Sequence, residues 1–243
     1  MSAFRSIVFS AVVAGGLVGV VVTVAQQFGI VPLILKGEVY ERAAEDAAAK
    51  PIVTAPAARE HGEHEHSEAA WEPKEGIERN SFTAAANILT AIGFALLLAG
   101  IFTLRGRTVT WHEGLLWGLS GFIVFTVAPG LGLPPELPGV PAAPLGPRQV
   151  WWVATAAATA AGLGLPFFRR SPWAAVLGLG LVALPHLIGA PQLLEDAHTN
   201  VPETLSRQFA AAVTLTSLLF WALLGSLTSI AYRRFSAAGR RGL

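Results

Sequence analysis

Three histidines and the glutamates between them form the most chemically distinctive stretch of this 243-residue sequence. His61, Glu63, His64, Glu65 and His66 lie within six positions, which hold half of the six histidines in the chain. Imidazole and carboxylate groups are ligands for borderline divalent cations such as zinc, nickel and cobalt. We name this stretch the acidic histidine cluster, and its composition predicts a site that attracts a divalent metal ion.

The spacing within the acidic histidine cluster does not define one coordination geometry. On a helix only His61 and His64 share a face, whereas in a strand His64 and His66 do, and the spacing matches no closed structural zinc pattern. These residues suit a labile site of moderate affinity, which collects ions and releases them. The alternative is a solvated charged linker that binds metals only incidentally.

Two single residues outside the cluster are further candidate ligands. His186 follows Pro185 in an apolar run, and a broken membrane helix with an ionisable group is typical of an ion site. Glu136 lies in the proline- and glycine-rich stretch 128–139, where its carboxylate would sit over an external mouth. The alternatives are a histidine that caps the carbonyls freed by Pro185 and a purely structural turn around Glu136.

The composition places these residues in a membrane protein. Hydrophobic residues make up 53% of the chain and charged residues 14%, against about 25% charged residues in soluble domains. The absence of cysteine excludes disulfides, thiolate metal sites and cysteine catalysis, and a net charge of +1 indicates no nucleic-acid partner. The sequence has no phosphate-binding loop, nucleophile elbow or His-Glu-x-x-His motif. We therefore expect no enzymatic activity and no bound cofactor other than a transported cation.

Six apolar runs supply the elements that must position the candidate ligands. They cover residues 7–25, 82–104, 115–131, 150–168, 173–190 and 209–232. A helix rises about 1.5 Å per residue, so about 20 apolar residues cross a hydrocarbon core of about 30 Å. The predicted fold class is an all-α polytopic transmembrane helix bundle with six spans, or five if the first run is a cleaved signal peptide. The run 173–190 gives the weakest signal, because it is short and contains Pro185.

The polar stretch after the first run divides the chain into four parts. We predict a first transmembrane helix over residues 1–28 and a polar His/Glu-rich periplasmic loop, with an amphipathic surface helix, over 29–80. A bundle of about five transmembrane helices over 81–232 and a basic cytoplasmic tail over 233–243 follow. Gln26, Gln27 and Asn87 are expected to form hydrogen bonds between helices, and Gly15 and Gly19 to allow close helix contacts.

The arginines predict how the chain is oriented in the membrane. If the N-terminus is cytoplasmic, the segments on that side hold Arg5, Arg105, Arg107, Arg169, Arg170, Arg233, Arg234, Arg240 and Arg241. The short connections on the other side hold only Arg148 and Arg207. Because Lys and Arg concentrate in short cytoplasmic loops, both termini are predicted to be cytoplasmic. The acidic histidine cluster then faces the periplasm of a bacterial inner membrane.

The chain resembles the CbtA family of predicted cobalt transporter subunits. The resemblance covers most of the chain and is carried by Gln26-Gln27, residues 31–34 and 38–41, the acidic histidine cluster, residues 71–79, 114–118 and 128–139, Trp151-Trp152 and residues 184–192. It implies a role in cobalt uptake, tied to cobalamin supply, and a small single-span partner of the CbtB type with its own histidine motif. Similar sequences are expected to carry a histidine where this chain has Thr126, which predicts an inner coordination site that is weaker or built differently.

Together these features predict a membrane protein that takes part in the uptake of a divalent transition metal. The acidic histidine cluster would collect the ion, which would then pass along a path near Glu136 and His186. Cobalt is the expected cargo through the resemblance, although nickel and zinc suit the same ligands. The alternative is a non-transporting membrane protein that binds or senses the metal.

Overall fold

The chain is helical throughout the part that the structure describes. A computed structural model describes residues 3–49, 73–74, 76–193 and 199–241, and in these ranges it contains no strand. The helices are α1 (Ala3–Gly29), α2 (Val31–Ala49), α3 (Ile77–Leu104), α4 (Trp111–Phe122), α5 (Ala128–Gly132), α6 (Leu145–Phe168), α7 (Pro172–Ile188) and α8 (Glu203–Arg241), with a π-helical turn (Ile123–Val127) between α4 and α5. The predicted all-α class is confirmed for these ranges.

Five helices of the described chain are long and apolar enough to cross a membrane. They are Ala3–Gly29, Ile77–Leu104, Trp111–Gly132 (α4, the π-helical turn and α5 together), Leu145–Phe168 and Glu203–Ala237. The apolar run 173–190 forms the shorter α7, of 17 residues. Ser171 caps its start, where the Ser171 hydroxyl accepts a hydrogen bond from the Ala174 N–H at 3.3 Å, and Gly189 ends it at a φ of 90°. These two boundaries limit α7 to 17 residues, fewer than in any of the five membrane-length helices.

Small residues allow the helices to pack closely. A Cβ atom on Gly15 of α1 would lie 2.6 Å from Ile92 Cα of α3, and Gly19 has equally little room against α3. A Cβ atom on Gly162 of α6 would lie 2.6 Å from the Gly178 carbonyl oxygen of α7. The predicted close contacts at Gly15 and Gly19 are thus confirmed. In lipid, such van der Waals packing is a main source of helix association.

The ends of five helices gather on one side of the bundle. The rings of Phe9 and Phe235 lie 5.9 Å apart, so the start of α1 meets the end of α8. The Arg105 guanidinium at the end of α3 lies 5.5 Å from the ring of Trp117 in α4 and 5.0 Å from the ring of Phe167 in α6. We name this side the arginine end, because it also carries Arg5, Arg107, Arg169, Arg170, Arg233 and Arg234.

The opposite side of the bundle is covered by α2 and two connections, and we name it the capped end. Arg79 Nη2 of α3 donates to Glu38 Oε1 of α2 at 2.9 Å, and the Thr199 hydroxyl donates to the Gly139 carbonyl at 2.8 Å. The buried apolar residues of this cap are Ile30, Leu137, Val201, Leu205 and Phe209. Residues 41–47 of α2 are exposed, as expected for the predicted surface helix.

Candidate functional site

A cleft of about 960 Å³ separates α6 from α8 in the half of the bundle nearer the capped end. The segment that joins α4 to α6 forms its third wall, and most of the lining is apolar. The neutral polar side chains that line it are Thr126, Gln149, Thr214 and Ser217, and the charged ones are Glu136 and Arg148. The cleft therefore combines room for a small hydrated ion with a single carboxylate.

A π-helical turn places Thr126 in the wall of this cleft. Pro129 has no N–H to donate to the carbonyl four residues before it, and the Ala128 N–H instead bonds to the Ile123 carbonyl, five residues back. Such π-helical turns are rare and occur frequently at functional sites. The position where similar sequences are expected to carry histidine therefore lines the same cleft as Glu136, and here it holds a neutral hydroxyl.

Glu136 lies at the capped end of the cleft and is paired with an arginine. Its Oε2 accepts a hydrogen bond of 2.8 Å from Arg148 Nη2, in the first turn of α6. The two side chains are 25% and 27% exposed, respectively, so the pair is largely shielded from solvent. Arg148 Nε is buried and has no hydrogen-bond partner among the described residues. The carboxylate that the sequence singled out is thus present in the cleft, but its charge is neutralised.

His186 lies on the far side of α6 from the cleft. Its ring packs edge-on against Trp151 at a centroid distance of 5.8 Å, and the Trp151 indole N–H donates to the Pro185 carbonyl at 3.3 Å. His186 Nε2 is buried without a hydrogen-bond partner in the described ranges, so this nitrogen caps no carbonyl there. His186 is not among the residues that line the cleft. The structure therefore does not bring His186 and Glu136 into one cavity.

The acidic histidine cluster lies outside the described residues, so His61, Glu63, His64, Glu65 and His66 stay predictions. Within residues 3–49, 73–74, 76–193 and 199–241, no three histidine, aspartate or glutamate side chains are grouped so that they could hold a metal ion. Among the described residues, the cleft by itself offers one carboxylate, that of Glu136. It is not a closed coordination centre.

The polar residues that were predicted to join helices do so near the capped end. Asn87 Nδ2 of α3 lies 2.7 Å from Gln26 Oε1 and 3.0 Å from Thr23 Oγ1, both in α1. Gln27 Nε2 donates to Asn80 Oδ1 at 3.0 Å. These hydrogen bonds confirm a structural role for Gln26, Gln27 and Asn87 between α1 and α3.

Arg148 is the site residue that sequence reasoning missed as a partner of Glu136. The two are twelve positions apart and separated by a stretch that contains Pro138, Pro141 and Pro144, so no helical or strand period relates them. The one available signal was charge, because Arg148 and Arg207 are the only arginines in the short connections on the predicted periplasmic side.

Comparison with known proteins gives one match. A family model described as "Probable cobalt transporter subunit (CbtA)" matches residues 4–233. No curated protein and no solved structure matches the chain. The matched range includes the positions of the acidic histidine cluster, the cleft and His186, and it confirms the resemblance seen in the sequence.

Proposed function

The chain belongs to the CbtA family of cobalt transporter subunits, and we propose that it is an inner-membrane protein that conducts cobalt into the cell. The family match over residues 4–233 carries this proposal. Five membrane-length apolar helices in the described chain agree with it. Cobalt is the cargo of this protein and not a resident cofactor.

Six membrane crossings agree best with the position of the start of α1 beside the end of α8. The contact between Phe9 and Phe235 supports an even number of crossings, because it places the start of α1 beside the end of α8. The sixth crossing is α7, which lies antiparallel to α6, with Gly178 facing Gly162 and Pro185 facing Trp151. Its 17 residues rise about 25 Å, which is short of the usual thickness of about 30 Å. We expect either that the bilayer is thinner around α7 or that α7 is displaced slightly along the membrane normal.

The arginine end faces the cytoplasm and the capped end faces the periplasm. Arginines accumulate on the cytoplasmic side of membrane helices, and contacts among α1, α3, α4, α6 and α8 support one shared arginine end. The acidic histidine cluster connects α2 to α3, which both reach the capped end. The acidic histidine cluster is therefore assigned to the periplasmic side of the inner membrane.

Uptake begins at the acidic histidine cluster and continues through the cleft. His61, His64 and His66, with Glu63 and Glu65, raise the local concentration of the cation at the periplasmic face. A potential of 100 mV is worth about 2.3 kcal/mol per elementary charge, so a divalent ion gains about twice that on entry.

Glu136 and His186 lie beside the ion path on different faces of α6. Trp152 lines the cleft and its neighbour Trp151 contacts His186, so the body of α6 separates the two candidate ligands. The buried Nε2 of His186, without a hydrogen-bond partner in the described residues, supports a ligand role that needs a small movement of α7 relative to α6.

A partner protein completes the transporter. The family description names the chain as one component of a transporter, and the resemblance suggests a small single-span protein of the CbtB type with its own histidines. Such a partner would supply ligands that the cleft lacks, since Glu136 is the only acidic side chain lining it among the described residues.

Uptake by cells that carry His61, His64 and His66 as alanines tests the collecting role. Cobalt accumulation should fall at limiting concentration and recover at high concentration, because a collector matters only when ions are scarce. The matched control is His112→Ala, which removes an exposed histidine whose ring lies against that of Trp111 at the arginine end. Unchanged uptake by the triple variant at limiting cobalt would rule out the collecting role.

Reconstitution tests transport itself. Vesicles that contain the purified chain, with or without the small partner, should take up radioactive cobalt when the interior is negative. If cobalt binds but does not enter in either preparation, the chain is a metal-binding or sensor protein instead.

A further inference from the structure

We propose that Arg148 is an internal competitor of the transported cation, a latch that holds Glu136 until a divalent ion displaces it. The inference rests on the proposed function, because it assigns a controlling residue to the same cleft. The new element is that a basic residue, Arg148, controls when the Glu136 carboxylate is available to the cation.

The position of the pair supports this role. Glu136 Oε2 and Arg148 Nη2 are 2.8 Å apart at the capped end of the cleft, and both residues line it. The pair is largely shielded, whereas the Glu203–Arg207 pair is more than 70% exposed on both sides. Because shielded charges are less screened by salt, the guanidinium competes effectively with a cation for this carboxylate.

A single hydrogen bond joins Arg148 to Glu136, which is weaker than the two-bond geometry that an arginine can also form with a carboxylate. Arginine frequently holds a carboxylate through two parallel hydrogen bonds from its planar guanidinium. Here Nη2 makes the contact, while Nε is buried without a partner in the described residues. A buried donor without a partner costs free energy, so this arrangement favours a contact that can open over a permanent structural lock.

After the pair opens, the cleft has room and polar groups for both the cation and the displaced guanidinium of Arg148. Its volume of about 960 Å³ accommodates a hydrated cation, and its hydroxyl and amide groups include Thr126, Gln149 and Thr214. The oxygens of these groups can accept hydrogen bonds from the displaced guanidinium or from water on the ion. A divalent cation has twice the charge of the guanidinium, so it displaces Arg148 more readily than a monovalent cation does.

The binding of cobalt to the full-length chain in lipid nanodiscs tests the latch. Titration calorimetry is run in a background where His61, His64 and His66 are alanines, so that the cleft dominates the signal. In this background Arg148→Gln should bind cobalt about tenfold more tightly, which corresponds to about 1.4 kcal/mol. Adding Glu136→Gln to Arg148→Gln should abolish the gain, because the carboxylate is then absent.

Arg207→Gln is the matched control, since it breaks an arginine–glutamate pair at the same end of the bundle but outside the cleft. Its affinity for cobalt should equal that of the background. If Arg148→Gln does not fold, Arg148→Lys replaces it, because the shorter reach of lysine should loosen the pair and tighten binding about threefold, corresponding to about 0.65 kcal/mol.

The vesicle assay separates this inference from the proposed function. If vesicles with the unaltered chain take up cobalt while the folded Arg148 variant binds it no more tightly, the latch is wrong and the transport function stands. If neither the chain nor the chain with its partner lets cobalt enter, the transport function fails, and the latch fails with it.

Discussion

Single polar residues inside the bundle are of two kinds, those with complete hydrogen bonding and those without. Asn87 lies within hydrogen-bonding distance of two acceptors in α1. By contrast, His186 Nε2 and Arg148 Nε are buried without partners in the described residues. Buried polar atoms in folded proteins are nearly always bonded, so atoms of this kind are places where an ion or water would enter. The described residues hold four of them: His186 Nε2, Arg148 Nε and Thr159 Oγ1 lie on or beside α6, and Thr228 Oγ1 lies in α8.

The removal of Asn87 should weaken the contact between α1 and α3. In Asn87→Leu, Gln26 Oε1 and Thr23 Oγ1 lose their donor, and the free energy of unfolding should fall by about 1 kcal/mol. Thermal unfolding in detergent measures this as a lower Tm. Asn80→Leu is the control, because Asn80 is exposed and, among the described residues, its side chain bonds to Gln27 alone. Equal effects of the two variants would contradict the structural role of Asn87.

Small residues set the closest approaches between helix pairs in this protein. Gly15 and Gly19 of α1 face the backbone of α3, and Gly118 of α4 faces the Trp221 backbone of α8. Many large apolar side chains point outward instead, as expected for helices surrounded by lipid. The π-helical turn (Ile123–Val127) is the exception to regular winding, and it lies beside the cleft.

Two adjacent glycines of α1 offer a direct test of this packing. Gly15→Ala should destabilise the bundle by about 1–3 kcal/mol, because the added methyl group overpacks the contact with α3. Gly16→Ala adds the same methyl group where nothing lies within 4 Å, so its Tm should stay equal or rise slightly. The measurement is thermal unfolding of both variants in one detergent. If Gly15→Ala is as stable as Gly16→Ala, the close approach of α1 and α3 is not present in the membrane.

At the scale of the whole molecule, charge and packing define the same two ends. The helix ends that contact one another through Phe9, Phe235 and Arg105 are those rich in arginine. The other end carries the cap and the part of the cleft that is lined by Glu136 and Arg148. Agreement between a charge asymmetry and a packing asymmetry supports a single orientation in the membrane.

Labelling of single cysteines tests that orientation and the number of spans. The chain has no cysteine, so Ser67→Cys and Ser236→Cys each carry one thiol and the unaltered chain is the blank. A thiol reagent that cannot cross the inner membrane should label Ser67→Cys in intact cells and Ser236→Cys only after permeabilisation. Labelling of both in intact cells would indicate an odd number of spans, and labelling of Ser236→Cys alone would indicate the opposite orientation.

Much of this architecture follows from local sequence. Each apolar run became a helix, because the run length and composition that a bilayer requires are properties of a single segment. The arginine asymmetry and the acidic histidine cluster are equally local, so the membrane class and the expectation of a cation need no tertiary contacts. The hydrogen-bonding roles of Gln26, Gln27 and Asn87 were predictable because polar side chains in apolar runs must find partners.

The tertiary structure alone decided which candidate residues meet. The sequence determined that Glu136 and His186 lie near the same end of the bundle, but their places on opposite sides of α6 depend on how that helix is rotated. The pairing of Glu136 with Arg148 likewise depends on the path of a proline-rich connection, which has no period to extrapolate. Hydropathy and charge are summed along the chain, whereas a cleft and an ion pair arise from the packing of distant segments, and so only the folded chain reveals them.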